Sequence, residues 1–104
     1  MRVLVHTTFS QTEGRTALDL FMSPATPKRP ADATEIASFT YGDDQGVHVL
    51  VLFDVENAKL GDFMNAQTAR TTYITSRADM KIVVHVGYSV RDAVAIAMTH
   101  LPPG

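Results

Sequence analysis

Val47-His48-Val49-Leu50-Val51-Leu52-Phe53-Asp54 is a run of β-branched, aliphatic and aromatic side chains without glycine or proline, and it reads as a strand. Side chains alternate across a strand. Val47, Val49, Val51 and Phe53 therefore share one face, and His48, Leu50, Leu52 and Asp54 share the other. Immediately upstream, Gly42-Asp43-Asp44-Gln45-Gly46 has the glycine and aspartate content of a hairpin connection. It joins this strand to an earlier one over Glu35 to Tyr41. Immediately downstream, Asn57 can cap a helix running to about Thr71 or Thr72, with Leu60, Phe63, Met64 and Gln67 as its inward stripe.

The same reading extends to both ends. Residues 2–9 form a first strand, with Val3, Val5 and Thr7 opposing Leu4, His6 and Thr8. Ser10-Gln11-Thr12-Glu13 has the S-x-x-E form of a capping box, and Ala17, Leu18, Phe21 and Met22 supply an apolar stripe for the helix it opens. Pro24 ends that helix. Met80 to Tyr88 is a fourth strand, with Met80, Ile82, Val84 and Val86 opposing Lys81, Val83, His85 and Gly87. Ser89 caps a last short helix whose apolar face is Val90, Ala93, Val94, Ala97 and Leu101. The order β-α-β-β-α-β plus a C-terminal helix is that of an α+β, ferredoxin-like unit. The expected sheet is four-stranded and antiparallel, in the order 4-1-3-2, with the two long helices on one face. The 104 residues are expected to form a single domain, residues 1–104.

One face of this sheet is almost wholly apolar. The other still carries Leu4, Leu50, Leu52 and Val83, whereas an open antiparallel face is expected to be polar. A large apolar patch implies a partner surface, and the simplest partner is a second copy related by a two-fold axis. The chain is thus expected to be a homodimer formed through the open face of the sheet.

Composition narrows the function classes. The chain is 45% hydrophobic and 19% charged, with a formal net charge of -2 and no block of like charge. No electrostatic footprint of a nucleic-acid or membrane-surface binder is present. The absence of cysteine excludes disulfides, thiolate metal sites and cysteine nucleophiles. The strand pattern at the N-terminus is not that of a signal peptide, no apolar run is long enough for a membrane helix, and a cytoplasmic location is expected. No phosphate-binding glycine motif and no G-x-S-x-G elbow occurs.

Three of the four histidines lie within strands: His6, His48 and His85. All three fall on the mixed face. His6 and His48 belong near one edge of adjacent strands, close enough to hydrogen-bond or to line a pocket. His85 lies toward the opposite edge, which breaks a three-histidine row, so no metal site and no cofactor is expected. Asp54 is about 20 Å along the strand from His48 and cannot orient it. Tyr41, Tyr73 and Tyr88 read as packing residues. Residues 24–33, with three prolines, Lys28 and Arg29, read as a stiff helix-to-strand connection rather than a positive lip over a pocket. Arg70 and Arg77 near the end of the second long helix are accounted for by the helix dipole.

Thr8-Phe9-Ser10, Leu20-Phe21, Val49-Leu50-Val51-Leu52-Phe53-Asp54 and Val86-Gly87-Tyr88-Ser89-Val90-Arg91-Asp92-Ala93 resemble the corresponding pieces of dimeric α/β-barrel proteins, and in particular a family of small, functionally uncharacterised bacterial members. Those relatives favour Pro-Val after the last strand, where this chain has Gly87-Tyr88. The resemblance implies two sheets packed face to face. Several members of the superfamily are cofactor-independent oxygenases or handle haem, which implies an apolar cleft between sheet and helices. Phe21, Met22, Phe53, Phe63 and Met64 would then line the cleft if they are not simply core. Tryptophan, used by many of the oxygenases, is absent. The leading expectation is a protein that binds a small apolar ligand, with His6, His48, His85, Phe21, Phe53, Phe63 and Met64 as candidate contacts. The alternatives are an oxygenase-like or proton-transfer enzyme, with His6 and His48 as base or substrate contacts, and an interaction module with no pocket.

Overall fold

The computed structural model describes residues 1–31 and 33–100. Its strands are β1 (Arg2–Phe9), β2 (Ala33–Asp43), β3 (Gly46–Val55) and β4 (Met80–Gly87). They form one antiparallel sheet in the order β2-β3-β1-β4, which is the expected order read from the other edge. Helix α1 (Gly14–Met22) links β1 to β2, α2 (Leu60–Thr75) links β3 to β4, and α3 (Val90–His100) follows β4. None of the helices described is long and apolar enough to cross a membrane.

The helices α1 and α2 cover the face that carries Val3, Val5, Thr7 and Phe9 on β1 and Val51, Phe53 and Val55 on β3. Two clusters fill the space between. One joins Val3, Val5, Val51, Phe53 and Val55 to Phe63 of α2, whose ring lies 5.5 Å from that of Phe53. The other joins Phe9 and Met80 to Ala17 of α1 and Ile74 of α2. Ile74 lies beyond the expected helix end, because α2 runs on to Thr75 and adds one more inward turn.

Local geometry departs from expectation at both helix starts. Ser10 forms no capping box: the Glu13 amide donates to the Ser10 backbone carbonyl at 3.0 Å, closing a 3-10 turn, and the Ser10 hydroxyl bonds Thr12 instead. That turn shifts the phase of α1. The inward residues become Ala17, Leu20 and Phe21, while Leu18 and Met22 point to solvent at 53% and 76% exposure. Asn57 likewise caps no helix. It lies in a 3-10 turn, Asn57–Lys59, that precedes α2.

The β2–β3 hairpin is tighter than its glycine content suggests. Strand β2 continues to Asp43, which pairs with Gly46, so only Asp44 and Gln45 make the turn. A bulge at Ile36 interrupts β2. Gly46 has φ +126°, and a Cβ there would lie 2.3 Å from the Phe9 carbonyl oxygen. The missing side chain is what lets β3 come against the end of β1 in this register.

Helix α3 is the least integrated element. Ser89 caps it as expected, accepting from the Asp92 amide at 3.1 Å. None of its residues is buried, and Val90, Val94 and Met98 are largely exposed. The expected face member Leu101 lies outside the described residues. The radius of gyration is 16.1 Å, against about 13 Å for a compact chain of this length.

Candidate functional sites on the two faces of the sheet

Two polar sites lie on opposite faces of β1. The open face places Thr8 in register with His48, and His6 in register with Leu50, so the two histidines are diagonal neighbours. His48 Nε2 donates to Asp43 Oδ1 at 2.9 Å. When His48 is neutral this leaves its Nδ1 with a lone pair, which accepts from His6 Nε2 at 2.9 Å. The Thr8 hydroxyl lies 3.4 Å from His6 Nε2 and 3.3 Å from His48 Nδ1, beside that bond. Tyr41 stacks on the His48 ring, with centroids 4.5 Å apart and planes 6° off parallel, and Phe39 stacks on Tyr41. His48 is almost fully buried by these neighbours.

This chain of groups, Asp43 to His48 to His6, holds protons in a defined way. The bond between the rings needs one lone pair, so both imidazoles cannot be charged while it persists. His6 Nδ1 has no hydrogen-bond partner among the described residues. The hydrogen bond from His48 holds the exposed Asp43 carboxyl below its ordinary 3.8; partial desolvation opposes this, and the Gln45 and Gly46 amides add to it. The sequence places Asp43 in the turn, and the structure places it at the end of β2, paired with Gly46. His85 shares the face but is exposed, sits in register with Leu4, and makes no hydrogen bond or ring contact with the other two among the described residues. No group of three His, Cys, Asp or Glu among the described residues is arranged to hold a metal ion. Asp54 forms an ion pair with Arg2 at 3.9 Å. Next to the histidines, Leu4, Ala37, Phe39, Leu50 and Leu52 line a shallow apolar groove of about 200 Å³.

The second site lies between the sheet and the helices. A cavity of about 290 Å³ is lined by apolar side chains that include Val5, Val49, Val51, Ile82, Phe21 and Phe53, and by Thr7, Thr40, Gln67, Arg29 and Arg70. Phe21 and Phe53 line this space, Phe53 also belongs to the core cluster, and Met22 points to solvent. Phe63 and Met64 are packed in the core behind the cavity and do not line it. The histidines face the other way, with the sheet between them and this space.

Thr7 and Gln67 are 6% and 5% exposed. Gln67 donates from Nε2 to the Thr71 hydroxyl at 3.1 Å. Its carbonyl oxygen and the Thr7 hydroxyl have no hydrogen-bond partner among the described residues. No fully enclosed side-chain nitrogen or oxygen among those residues lacks a partner, so these two groups must touch the cavity space.

Beside the cavity lies an outer concavity that shares Phe21, Arg29 and Arg70 with it and adds Ser23, Pro24, Thr26 and Lys28. The connection 24–31 is therefore not the plain link expected from its prolines. It meets α2 at Arg70, which donates to the Pro27 carbonyl at 2.8 Å, and it brings Arg29 into the cavity wall. Arg77, by contrast, behaves as the helix dipole predicts: it bonds the Tyr73 carbonyl at the end of α2 and lies 3.6 Å over the Tyr73 ring. Comparison with known protein families, curated proteins and solved structures returns no match for this chain.

Proposed function

We propose that the protein binds a small, largely apolar molecule in the cavity between the sheet and helices α1 and α2. One observation carries this reading: Thr7 and Gln67, both more than nine-tenths buried, present unpartnered polar atoms to a space walled mostly by apolar side chains. A dry polar group without a partner costs about 1–3 kcal/mol; these two atoms reach the cavity space, so that figure is their upper limit. A ligand hydroxyl or amide would remove that cost while the walls bury its apolar body, a usual pattern for ligand pockets. Thr7→Val tests it, because valine keeps the shape and suits a strand. The variant is expected to melt higher than the parent when empty, by about 1 kcal/mol, and to bind octanol more weakly, as read from the methyl NMR signals of Val5, Val49, Val51 and Ile82. A less stable variant, or octanol that leaves those methyls unmoved, overturns the reading.

A second reading concerns assembly. We read the βαββαβ arrangement as a ferredoxin-like unit that dimerises through its open sheet face, as in dimeric α/β barrels. It is supported by two uncovered apolar surfaces on one chain: the Leu4, Phe39, Leu50 and Leu52 groove, and helix α3. Native mass spectrometry of the purified protein is expected to give a dimer, and Leu50→Asp a monomer. A monomeric parent protein at micromolar concentration refutes this.

A further inference from the structure

We propose that the mouth of the cavity is a carboxylate site built by Arg70 with Arg29, so that the ligand is an apolar monocarboxylic acid; this rests on the cavity being a binding site. Arg70 is half-buried, and only one of its five N–H donors has a protein partner among the described residues, the Pro27 carbonyl. Three arginines have carboxylate partners, Arg2 with Asp54, Arg15 with Asp19 and Arg29 with Glu35, while among the described residues Arg77 and Arg91 have none and are exposed. Arg70 has none among the described residues. Its one electrostatic neighbour is another cation, Arg29, and burial together with that charge lowers the Arg70 pKa from its ordinary value. A guanidinium placed against an apolar wall, without a carboxylate and beside a like charge, is a costly arrangement that a bound anion relieves.

The charge balance sets the class of anion. Arg29 has a carboxylate of its own, Glu35 at 3.3 Å in an exposed pair, and Lys28 is exposed at the outer rim. One unneutralised guanidinium remains at the inner mouth, which matches a single negative charge. The planar fork of Arg70 fits the two oxygens of a carboxylate. Inward from it the wall turns apolar, and Gln67 presents an acceptor deeper in the cavity. The fitted molecule has its acid group at Arg70, an apolar body against Val49, Val51 and Ile82, and a hydroxyl or amide donor toward Gln67.

Octanoate and octanol, matched in chain length, separate the charge from the apolar body. Titrated into the full chain at low salt, octanoate is expected to bind at least about tenfold more tightly, which is the size of one charge-assisted hydrogen-bonded contact. Arg70→Met keeps the apolar stem of the side chain. It is expected to abolish that preference, bringing the two affinities within about twofold of each other. A measurement on the unaltered protein guards against a variant that fails to fold: lowering the pH from about 7 to about 4, into the range where carboxyl groups take up protons, is expected to shrink the preference. Equal affinities for the two probes at neutral pH, or a preference that survives in Arg70→Met, overturn the carboxylate site while leaving the cavity reading intact. Failure of both probes to bind overturns both.

Discussion

Gly46→Ala is the sharpest single test of how the sheet is assembled. At φ +126° an alanine is held where L side chains rarely go, which costs about 1–3 kcal/mol. Its Cβ would also sit 2.3 Å from the Phe9 carbonyl oxygen and 3.2 Å from the Ser10 Cα. Both are backbone atoms, so no side chain can swing aside, and the strand itself must move. Forced shifts of packed groups add a further 1–3 kcal/mol or so. A total of about 2–6 kcal/mol is a large part of the 5–15 kcal/mol typical of a folded domain. At about 4–8 °C per kcal/mol, the melting temperature falls by at least about 8 °C. Gly61→Ala is the control. It lies in α2 with nothing within 4 Å of the new Cβ, and replacing a helical glycine there should stabilise by roughly 0.5–1 kcal/mol. Thermal melts followed by circular dichroism give both numbers. If Gly46→Ala melts within a degree or two of the parent protein, the close approach of β3 to Phe9 is not what fixes this register.

Two further outcomes follow from the core and the histidine chain. Phe63→Ala, which removes a fully buried ring packed on Phe53, is expected to cost about 3–5 kcal/mol in urea unfolding; a loss under about 1 kcal/mol would mean the core is loosely filled there. The Asp43–His48 bond sets an acid limit. Because the folded-state pKa of Asp43 lies below its ordinary value, the unfolded chain binds more protons as pH falls, so this contribution is complete above the ordinary value and is lost as pH drops through the lowered one. The stability gap between the parent protein and Asp43→Asn is therefore expected to close between about pH 5 and pH 2, and a gap independent of pH across that range would contradict the assigned bond.

The sheet was legible in the sequence because alternation and element order are local signals. Val47 to Asp54 sorted correctly onto two faces, and the strand order put His6 beside His48. Asp43 escaped because it follows the last apolar residue of β2 and sits in a glycine- and aspartate-rich run, which reads as turn. Only the tight two-residue turn carries the strand as far as Asp43, diagonal to His48. Arg70 escaped for a different reason. Near a helix C-terminus a cation already has an adequate local explanation, and nothing local says that residues 24–31 fold back over it. The phase of α1 was misjudged because a 3-10 turn and an α-helical first turn share the same polar residues but advance the chain by different angles.

Strand β1 places Thr7 in the cavity and its two neighbours, His6 and Thr8, in the histidine cluster. The two sites are thus interleaved residue by residue along one stretch of chain, with no side chain in common. Substitutions can remodel either one while the other keeps its chemistry. Changes in length have no such freedom. Deleting a single residue early in β1 would turn Thr7 toward the histidines and drive an imidazole into an apolar space. Such a strand can vary in composition across descendants of this sequence, but every one that keeps both sites must keep its spacing from Arg2 to Phe9.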